Sequence, residues 1–513
     1  MNGAESLVKT LLRGKVDTCF ANPGTSEMHF VAALDKIPGI KCVLGLHENV
    51  VTGMADGYFR VARKPAATLL HCGPGLANGL SNLHNARRAN SAIINIVGDH
   101  ASFHRKFDAP LTADTVAMAN TVSHWVRTSN QVENVGRDAA SAIQASKQYP
   151  GQIATLILPS DCSWNIGGAV SETNESRKPE KIDRNTVIEC AKALNSSERV
   201  LILLSGEAVS KEGQSILAGI KNATNVDLMI DFSAATVSRG RGCLPLARIP
   251  YNTGIARKKL SIYETIILVG AKPPVGFFAY PNQSSLQANV STRFINLANY
   301  DQNLVEALNL LAEELNVVTS KISVCSGATE LPTGKITPEG LAQTLAILMP
   351  ENAIVSDESV SYGRGFYEHT YSAASHEWLH LVGGAIGDGL PVATGAAIAS
   401  KRSRRVISLQ ADGAAMYSLQ SLWTQARENL PCTTIILSNR KYQILMAEYK
   451  NVGASPGQTA FDMMDLGNPD IDWIKLANGM GVEAQKVSTF ERLSDVLHYS
   501  FDTPSPFLIE LEI

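Results

Sequence analysis

The stretch 404–443 reads RRVISLQADGAAMYSLQSLWTQARENLPCTTIILSNRKYQ and predicts a strand, a helix and a second strand in succession. The apolar, β-branched runs 406–409 and 433–437 predict the strands, and the segment 416–429 has the residue spacing of a helix. Two parallel strands need a crossover of this kind, so the stretch predicts one βαβ unit of an open α/β sheet.

Two polar residues stand directly after these strands. Asp412 follows the first strand and Asn439 follows the second, 439 − 412 = 27 residues later. Parallel strands end at the same edge of a sheet, and open α/β sheets bind their ligands at that edge. A carboxylate, an amide oxygen and backbone carbonyls form an oxygen site of the kind that Mg²⁺ shares with diphosphate oxygens. Because Gly413 lets the backbone approach a phosphate at a helix N-terminus, the stretch predicts a metal–diphosphate site.

The same alternation of apolar runs and helical patterns extends over the rest of the chain. Runs that are apolar throughout are typical of parallel strands covered on both faces. The further predicted strands are 16–20, 42–46, 67–71, 92–97, 153–158, 200–204, 226–230, 265–269, 294–297, 353–355 and 507–511. Helices are predicted at 49–61 and 76–88. The pattern predicts an α/β protein with three doubly wound parallel-sheet domains.

Two polar stretches divide this pattern into three blocks. The stretch 171–185 has eight charged residues, and 319–334 is rich in Ser, Thr, Gly and Pro, so both predict linkers. Thr337 before Pro338 predicts the start of the next helix, with Thr337 as the N-cap. We expect an N-terminal, a central and a C-terminal domain at 1–170, 186–318 and 337–513.

Composition excludes several classes of protein. The chain has 513 residues, of which 45% are hydrophobic and 18% charged, so it does not have the composition of a disordered protein. The net charge of −3 gives no basis for nucleic-acid binding, and no apolar run is long enough to span a membrane. The eight cysteines are scattered and form no CxxC pair, which indicates buried thiols in a reducing, cytoplasmic compartment.

The motif Asp412-Gly413…Asn439 resembles the thiamine-diphosphate motif of the benzoylformate decarboxylase and acetolactate synthase family, except that Ala411 replaces its first Gly. The resemblance implies thiamine diphosphate and Mg²⁺ as cofactors, with Asp412, Asn439 and the backbone carbonyl of Lys441 as metal ligands. It implies that the cofactor is bound by Ser361, Gly384, Ile386, Gly413, Ala414 and Tyr442. Among these, Ile386 is expected to hold the cofactor in its bent form.

The N-terminal block resembles the same family in three segments. HENVVTGMADGYFR at 47–60 resembles the helix whose glutamate, here Glu48, hydrogen-bonds the cofactor pyrimidine and so promotes loss of the thiazolium proton. The turn Asn22-Pro23-Gly24-Thr25 implies that Thr25 faces the substrate carboxylate. LLHCGPG at 69–75 implies a proton-transfer or substrate-orienting role for His71. The expected catalytic residues are therefore Glu48, His71 and Thr25.

The segment after Asn439 is expected to form one wall of the substrate pocket. Ile444, Leu445 and Glu448 have the spacing of one helix face. Ile444 and Leu445 would narrow an aromatic pocket. Glu448 is either a surface residue or a pocket carboxylate, and the sequence favours neither.

The expected reaction is decarboxylation of a small 2-oxo acid, in a homodimer or homotetramer whose sites are shared between subunits. One alternative is an acetolactate-synthase-type carboligase acting on pyruvate, which Gly73-Pro74-Gly75 favours; the middle block has no flavin signature, so FAD is not expected. Another is a non-catalytic paralogue, supported by Ala411 and by the absence of His from GAKPPVGFFAYPNQ at 270–283. A dinucleotide-binding protein is a weaker alternative, because GPGLANG at 73–79 is one residue too long for GxGxxG.

Overall fold

Strands that are buried along their length organise the chain into three sheets. The computed structural model describes residues 1–174, 178–323 and 327–513. The first and second sheets are entirely parallel, and the third is parallel except for one edge strand. The predicted fold class of three parallel-sheet α/β domains is confirmed.

The first sheet has the strand order β2-β1-β3-β4-β6-β5. In chain order, its region contains α1 (Gly3–Arg13), β1 (Thr18–Ala21), α2 (Met28–Lys36), β2 (Lys41–Leu44), α3 (Glu48–Ala62), β3 (Ala66–Leu70), α4 (Cys72–Arg88), β4 (Ile93–Asp99), α5 (Thr115–Val122), β5 (Trp125–Thr128), α6 (Val135–Ser146), β6 (Ile153–Pro159) and α7 (Ser160–Trp164).

The second region contains α8 (Arg184–Leu194), β7 (Val200–Leu204), α9 (Lys211–Thr224), β8 (Asp227–Ile230), β9 (Thr236–Arg239), β10 (Ala247–Arg248), α10 (Thr253–Leu260), β11 (Thr265–Val269), β12 (Arg293–Ala298) and α11 (Leu304–Glu314). Its sheet has the order β10-β8-β7-β11-β12. The strand β9 belongs to this part of the chain but pairs with β14 in the third sheet.

The third region contains α12 (Pro338–Leu348), β13 (Ile354–Glu358), α13 (Phe366–His369), β14 (His376–His380), α14 (Gly389–Ala399), β15 (Val406–Ala411), α15 (Asp412–Ala415), α16 (Ser421–Arg427), β16 (Cys432–Ser438), α17 (Gln443–Val452), α18 (Gln458–Asp462), α19 (Trp473–Gly479), β17 (Glu483–Val487), α20 (Phe490–Asp502) and β18 (Phe507–Glu512). The sheet order is β17-β18-β16-β15-β13-β14-β9, with β9 antiparallel to β14. Short 3₁₀ turns lie at Thr25–Glu27, Arg105–Phe107, Val132–Asn134, Gly206–Val209 and Tyr362–Gly365.

The structure differs from the sequence prediction in its helices. The predicted helix 416–429 is wrong in its first turn: α15 ends at Ala415, and α16 begins only at Ser421. Tyr417 and Ser418 instead donate backbone hydrogen bonds three residues back, which turns the chain between the two helices. The predicted helix 76–88 begins earlier, at Cys72. Pro74 is tolerated in its first turn, because the N–H groups of the first turn have no partner within the helix and proline has none to leave unpaired.

The predicted linkers are largely without regular structure where they are described. The first ends slightly early, because α8 begins at Arg184, and Asp183 caps it by accepting from the Asn185 N–H. Residues 175–177 and 324–326 of the two predicted linkers lie outside the described residues. The predicted N-cap is confirmed, since the Thr337 hydroxyl accepts from the Gly340 N–H at 3.1 Å.

Two further expectations concern membranes and thiols. Throughout the described ranges, each helix is too short or too polar to cross a bilayer. The seven cysteines in those ranges are free thiols, and all of them except Cys42 are buried.

Helices α3 and α14 join the first region to the third. They approach closely at glycines: a Cβ on Gly57 would overlap the Val392 carbonyl, and one on Gly395 would overlap the Met54 carbonyl. Both helices are almost entirely buried. The helix that begins at Glu48 is therefore fixed against the helix that follows the glycine-rich loop 383–388.

Candidate active site

Asp412 and Asn439 lie together at one edge of the third sheet. Parallel pairing places Ala411 opposite Leu437, so β15 and β16 end side by side. The Asp412 carboxylate accepts from the Gly413 N–H at 2.7 Å and from the Arg440 N–H at 2.6 Å. This carboxylate thus ties together the two loops that the sequence predicted to form a metal site.

A cavity opens beside this pair. Its lining includes most of the residues predicted to contact cofactor, metal or substrate in the third region: Ser361, Ile386, Asp412, Gly413, Ala414, Asn439, Lys441, Tyr442 and Ile444. Gly384, Leu445 and Glu448 are not among the lining residues in the described part of the chain. The structure therefore brings most of these predicted residues together around one cavity.

The donors at this edge fit a hard divalent cation and a diphosphate. Burial raises the pKa of Asp412, although its backbone hydrogen bonds oppose the rise. A bound cation would offset the cost of burying this carboxylate. The Asn439 side-chain oxygen accepts from the Lys441 N–H at 3.1 Å and adds a neutral oxygen donor.

Gly413 must be a glycine because there is no space for a side chain, whereas the position of Ala411 accepts a side chain. A Cβ on Gly413 would overlap the ring of Tyr442, so the ring covers the start of α15 only because the residue is glycine. Ala411, where the family motif has glycine, has φ −68° and ψ 141°, which alanine adopts without strain. The departure from the motif therefore carries no backbone cost.

A buried carboxylate holds the glycine-rich loop. The Glu358 carboxylate, at the end of β13, accepts from the N–H groups of Gly387 at 2.7 Å and Gly389 at 2.9 Å. Burial raises the pKa of Glu358 to about 7, and these backbone donors lower it in part. Sequence reasoning missed Glu358. Its only signal was an acidic residue ending an apolar strand.

Asp388 belongs to a buried ion cluster between α3 and α14. The Arg60 guanidinium donates to Asp56 at 2.9 Å and to the His380 carbonyl at 2.7 Å, and it lies 3.8 Å from Asp388. Burial raises the pKa of Asp388 well above its ordinary value, against the opposing effect of Arg60. Asp388 therefore links the loop to the helix that carries Glu48.

Glu48 lies on the other side of this helix contact, at the start of α3. Its side chain is 7% exposed and accepts from the Asn78 amide at 3.0 Å. A Cβ on Gly75 would lie only 3.2 Å from the Glu48 carboxylate. The absence of a side chain at Gly75 therefore leaves room for this carboxylate. Within the described residues, Glu48 is not part of the lining of the Asp412 cavity.

His71 is paired with a glutamate that the sequence analysis missed. Its Nδ1 lies 2.9 Å from the Glu27 carboxylate, which is buried and also accepts from the Gly24 N–H at 2.8 Å. The hydroxyl beside His71 belongs to Ser26, at 3.2 Å from Nδ1, whereas the predicted Thr25 is exposed. A Cβ on Gly24 would overlap the His71 ring, which explains the glycine in this turn.

The central region reaches the third region through an aromatic segment. The Tyr280 hydroxyl donates to Glu448 at 2.7 Å. Burial, and after it this contact with Glu448, raises the pKa of Tyr280 to about 12. Phe277 lies within 3.3 Å of the position that a Cβ on Gly384 would occupy. Glu448 is therefore engaged by a tyrosine.

Known proteins resemble the chain along its whole length. The N-terminal TPP binding domain of the thiamine pyrophosphate enzymes matches residues 1–119, and their C-terminal TPP binding domain matches residues 364–511. A Mycobacterium tuberculosis protein, provisionally named acetolactate synthase large subunit IlvX, is 44% identical over 100% of this chain and 99% of its own. The chain belongs to the thiamine-diphosphate enzyme family. It is therefore an enzyme of the decarboxylase and acetolactate synthase type.

More distant members of the family share the same architecture. Benzoylformate decarboxylase of Pseudomonas aeruginosa is 26% identical over 98% of this chain and 97% of its own. The solved structure of the 4-hydroxybenzoylformate decarboxylase of Rhodococcus jostii RHA1 has a TM-score of 0.82 at 22% identity and covers 99% of this chain and 98% of its own. The second comparison supports the fold.

Proposed function

We propose that the protein is a thiamine-diphosphate- and Mg²⁺-dependent enzyme that removes carbon dioxide from a 2-oxo acid and releases the aldehyde. The observation that carries the proposal is the His71–Glu27 pair, because releasing an aldehyde requires a group that delivers a proton. When bound, thiamine diphosphate supplies a carbon nucleophile for the substrate carbonyl and accepts the electron pair left by carbon dioxide.

The residues of the third sheet edge would hold the cofactor. Asp412, Asn439 and the carbonyl of Lys441 would bind Mg²⁺, and the N–H groups at the start of α15 would face the diphosphate. Ile386 would support the bent form of the cofactor from the loop that Glu358 fixes. Tyr442 covers Gly413 and would shield this end from water.

Glu48 would bind the pyrimidine of a cofactor held by a second subunit. Its burial at the start of α3 keeps the carboxylate out of bulk water, where a hydrogen bond is stronger. The resemblance of the segment 47–60 to the glutamate-bearing helix of the family supports a site built from two protomers. The proposed assembly is a homodimer or a homotetramer made from such dimers.

His71 would exchange the proton at the substrate carbon or its carboxylate. Glu27 engages Nδ1, so Nε2 is the ring atom left to face the substrate. Ser26 adds a hydroxyl at the same ring atom as Glu27 and would help to fix the ring. We therefore assign Glu27 and Ser26 as positioning residues and retain Thr25 as a candidate substrate contact.

The side chains near the third sheet edge favour a 2-oxo acid with an apolar or aromatic side chain. Ile386 and Ile444 line the cavity, and Phe277 lies against the glycine-rich loop. Glu448 is hydrogen-bonded to Tyr280, which leaves Ile444 and Leu445 as the apolar residues that precede it on α17.

A carboligase of the acetolactate synthase type is the second candidate. The 44% identity to a protein provisionally named as an acetolactate synthase large subunit favours it. In that reaction a second carbonyl compound would take the place of the proton that His71 delivers.

Product analysis distinguishes the two reactions. The protein, loaded with Mg²⁺ and thiamine diphosphate, is incubated separately with benzoylformate and with pyruvate, and carbon dioxide and carbon products are measured. The proposal predicts benzaldehyde from benzoylformate, lost in Glu48→Gln. A hydroxyketone from pyruvate as the main product would establish the carboligase instead. Cofactor binding without turnover of either acid would contradict the proposed substrate class.

A further inference from the structure

Three metal-ligating side chains meet at the junction of β3 and α4. One ligand atom each of Glu27, His71 and Cys72 lies within 4.8 Å of the other two, and this is the one such group found in the described residues. The Ser26 hydroxyl lies 3.1 Å from the Cys72 sulfur and 3.2 Å from His71 Nδ1. Carboxylate, imidazole and thiol thus converge at one point.

This donor set differs in chemistry from the Asp412–Asn439 pair. Oxygen donors select Mg²⁺, whereas a thiol and an imidazole select borderline or soft metals such as Zn²⁺. Three protein ligands with a fourth position open is an arrangement that zinc accepts. We propose that Glu27, His71 and Cys72 form a second metal site, which takes Zn²⁺ or a similar transition-metal ion and withdraws His71 from proton transfer when it is filled.

The ligands are held in place before any ion arrives. Gly98 leaves space that the Glu27 carboxylate fills, since a Cβ there would overlap it. The backbone N–H of Gly24 also fixes Glu27 at 2.8 Å. Cys72 has φ +50°, a left-handed conformation that is uncommon for a side-chain-bearing residue. The contacts with Gly24 and Gly98 therefore hold the Glu27 carboxylate beside His71 without a metal.

A further buried carboxylate acts on the same thiol. Asp99 is 2% exposed, and its Oδ2 lies 3.3 Å from the Arg105 guanidinium. Burial raises the pKa of Cys72 to about 11, and the charges of Glu27 and Asp99 add to the rise. The Glu27 carboxylate thus contributes negative charge that favours a cation, whereas that of Asp99 is already paired with Arg105.

The binding step is a proton exchange. The Cys72 thiol gives up its proton to solvent as the sulfur–metal bond forms, so no electron transfer is involved. Neutral His71 donates a nitrogen lone pair, and the Glu27 carboxylate donates an oxygen. The metal takes Nδ1, the ring nitrogen that now contacts Glu27. The bound ring then keeps its proton on Nε2 and has no free lone pair, so Nε2 can no longer accept a proton and return it to the substrate. That this inhibits the enzyme rests on the proposed function, whereas the binding itself does not.

Cobalt(II) is the probe for the site, because it adopts zinc geometry and reports thiolate ligation by its charge-transfer absorption. It is titrated into the Mg²⁺- and thiamine-diphosphate-loaded protein in the presence of excess Mg²⁺. We expect a thiolate-to-cobalt band in the wild type and in Cys42→Ser, which removes the exposed cysteine. The band should be absent from Cys72→Ser and Cys72→Ala, and Zn²⁺ should abolish it in the wild type.

Two outcomes would overturn the site: no band in the wild type, or a band that persists in both Cys72 variants. His71→Ala is a second check on ligation and should weaken cobalt binding by at least about tenfold. The effect of Zn²⁺ on enzyme activity is measured in a separate experiment. Zn²⁺ should inhibit the wild type and Cys42→Ser at concentrations that do not lower the activity that Cys72→Ser shows without Zn²⁺. A cobalt band without inhibition by Zn²⁺ would support the metal site and contradict the proton-transfer role of His71.

Discussion

The first and third sheets place candidate site residues at the same topological position, directly after a parallel strand, but with different chemical groups. Asp412 and Asn439 follow β15 and β16, and His71 follows β3. The third edge offers oxygen donors and backbone N–H groups, which suit a cation and a diphosphate. The first offers an imidazole oriented by a buried carboxylate. The comparison indicates that the shared sheet topology places both clusters at strand ends, while their side chains differ: oxygen donors at the third edge, and an imidazole paired with a carboxylate at the first.

The largest effect is expected when the negative charge of Asp412 is removed from the edge of the third sheet. Asp412→Asn keeps the side-chain shape but removes the metal-binding carboxylate. Thiamine diphosphate affinity with Mg²⁺, measured by calorimetry, should fall by about 100-fold or more, which corresponds to about 3 kcal/mol. Asp495→Asn, at an exposed position, should leave the affinity unchanged. Equal affinity in Asp412→Asn and the wild type would remove the metal–diphosphate assignment.

Glu48→Gln should separate binding from turnover. The amide can still occupy the pocket beside Asn78, but it cannot support the proton loss that a carboxylate promotes. We expect kcat to fall by about 10²- to 10⁴-fold while calorimetric cofactor affinity changes little. Glu314→Gln, at an exposed position at the end of α11, is the control and should keep full activity. Retention of wild-type kcat in Glu48→Gln would refute the role of Glu48.

The buried Glu358 should make the free energy of unfolding depend on pH. Its pKa in the fold is about 7, raised by burial from an ordinary 4.5, so the folded state holds a proton that the unfolded state has already lost between these values. The contribution of Glu358 to the free energy of unfolding is therefore greatest below pH 4.5 and declines as pH rises towards 7. Between roughly pH 5 and pH 8 the wild type should lose about 3 kcal/mol of unfolding free energy through this group.

Urea unfolding of the wild type and Glu358→Gln at both pH values measures this effect. The amide stays neutral, so the variant should lack this part of the pH dependence. Identical pH dependence in the two proteins would show that Glu358 is already ionised at low pH in the fold.

Tyr280→Phe tests the smallest effect. It removes the hydroxyl that Glu448 accepts but keeps the ring, at a cost of about 1 kcal/mol. A change of about fivefold in KM with kcat largely kept is expected from steady-state kinetics, because the wall after Ile444 shifts. Tyr300→Phe, half-exposed in the same region, should change neither constant. A large fall in kcat would instead make Glu448 part of the chemistry.

Much of the fold was predictable from the sequence because its central strands are buried on both faces. β6, β7, β11 and β16 are buried at every position and mostly apolar, and they were predicted within one or two residues. β14 was missed because its sequence, HEWLH, contains two histidines and a glutamate, whose polar groups are accommodated only by tertiary contacts.

The other missed strands are β5, β9, β10 and β17. All are short or lie at the edge of a sheet, where one side is not paired and polar residues are tolerated.

The candidate site was predictable where a motif is continuous in the chain. Asp412, Gly413 and Asn439 belong to one βαβ unit, so their spacing alone placed them together. Glu358 and Glu27 act on residues 29 and 44 positions away, and that pairing follows from the sheet order. Sequence spacing contains no signal for such contacts.

The central claim is that one active site combines Glu48 of one subunit with Asp412 of another, and complementation between variants tests it most directly. Glu48→Gln and Asp412→Asn, each inactive alone, are co-expressed and the mixed assembly is assayed for carbon dioxide release. Random pairing should restore about a quarter of wild-type activity, since half the dimers are hybrids and each hybrid has one intact site. Two inactive variants that form mixed assemblies but restore no activity would contradict the claim.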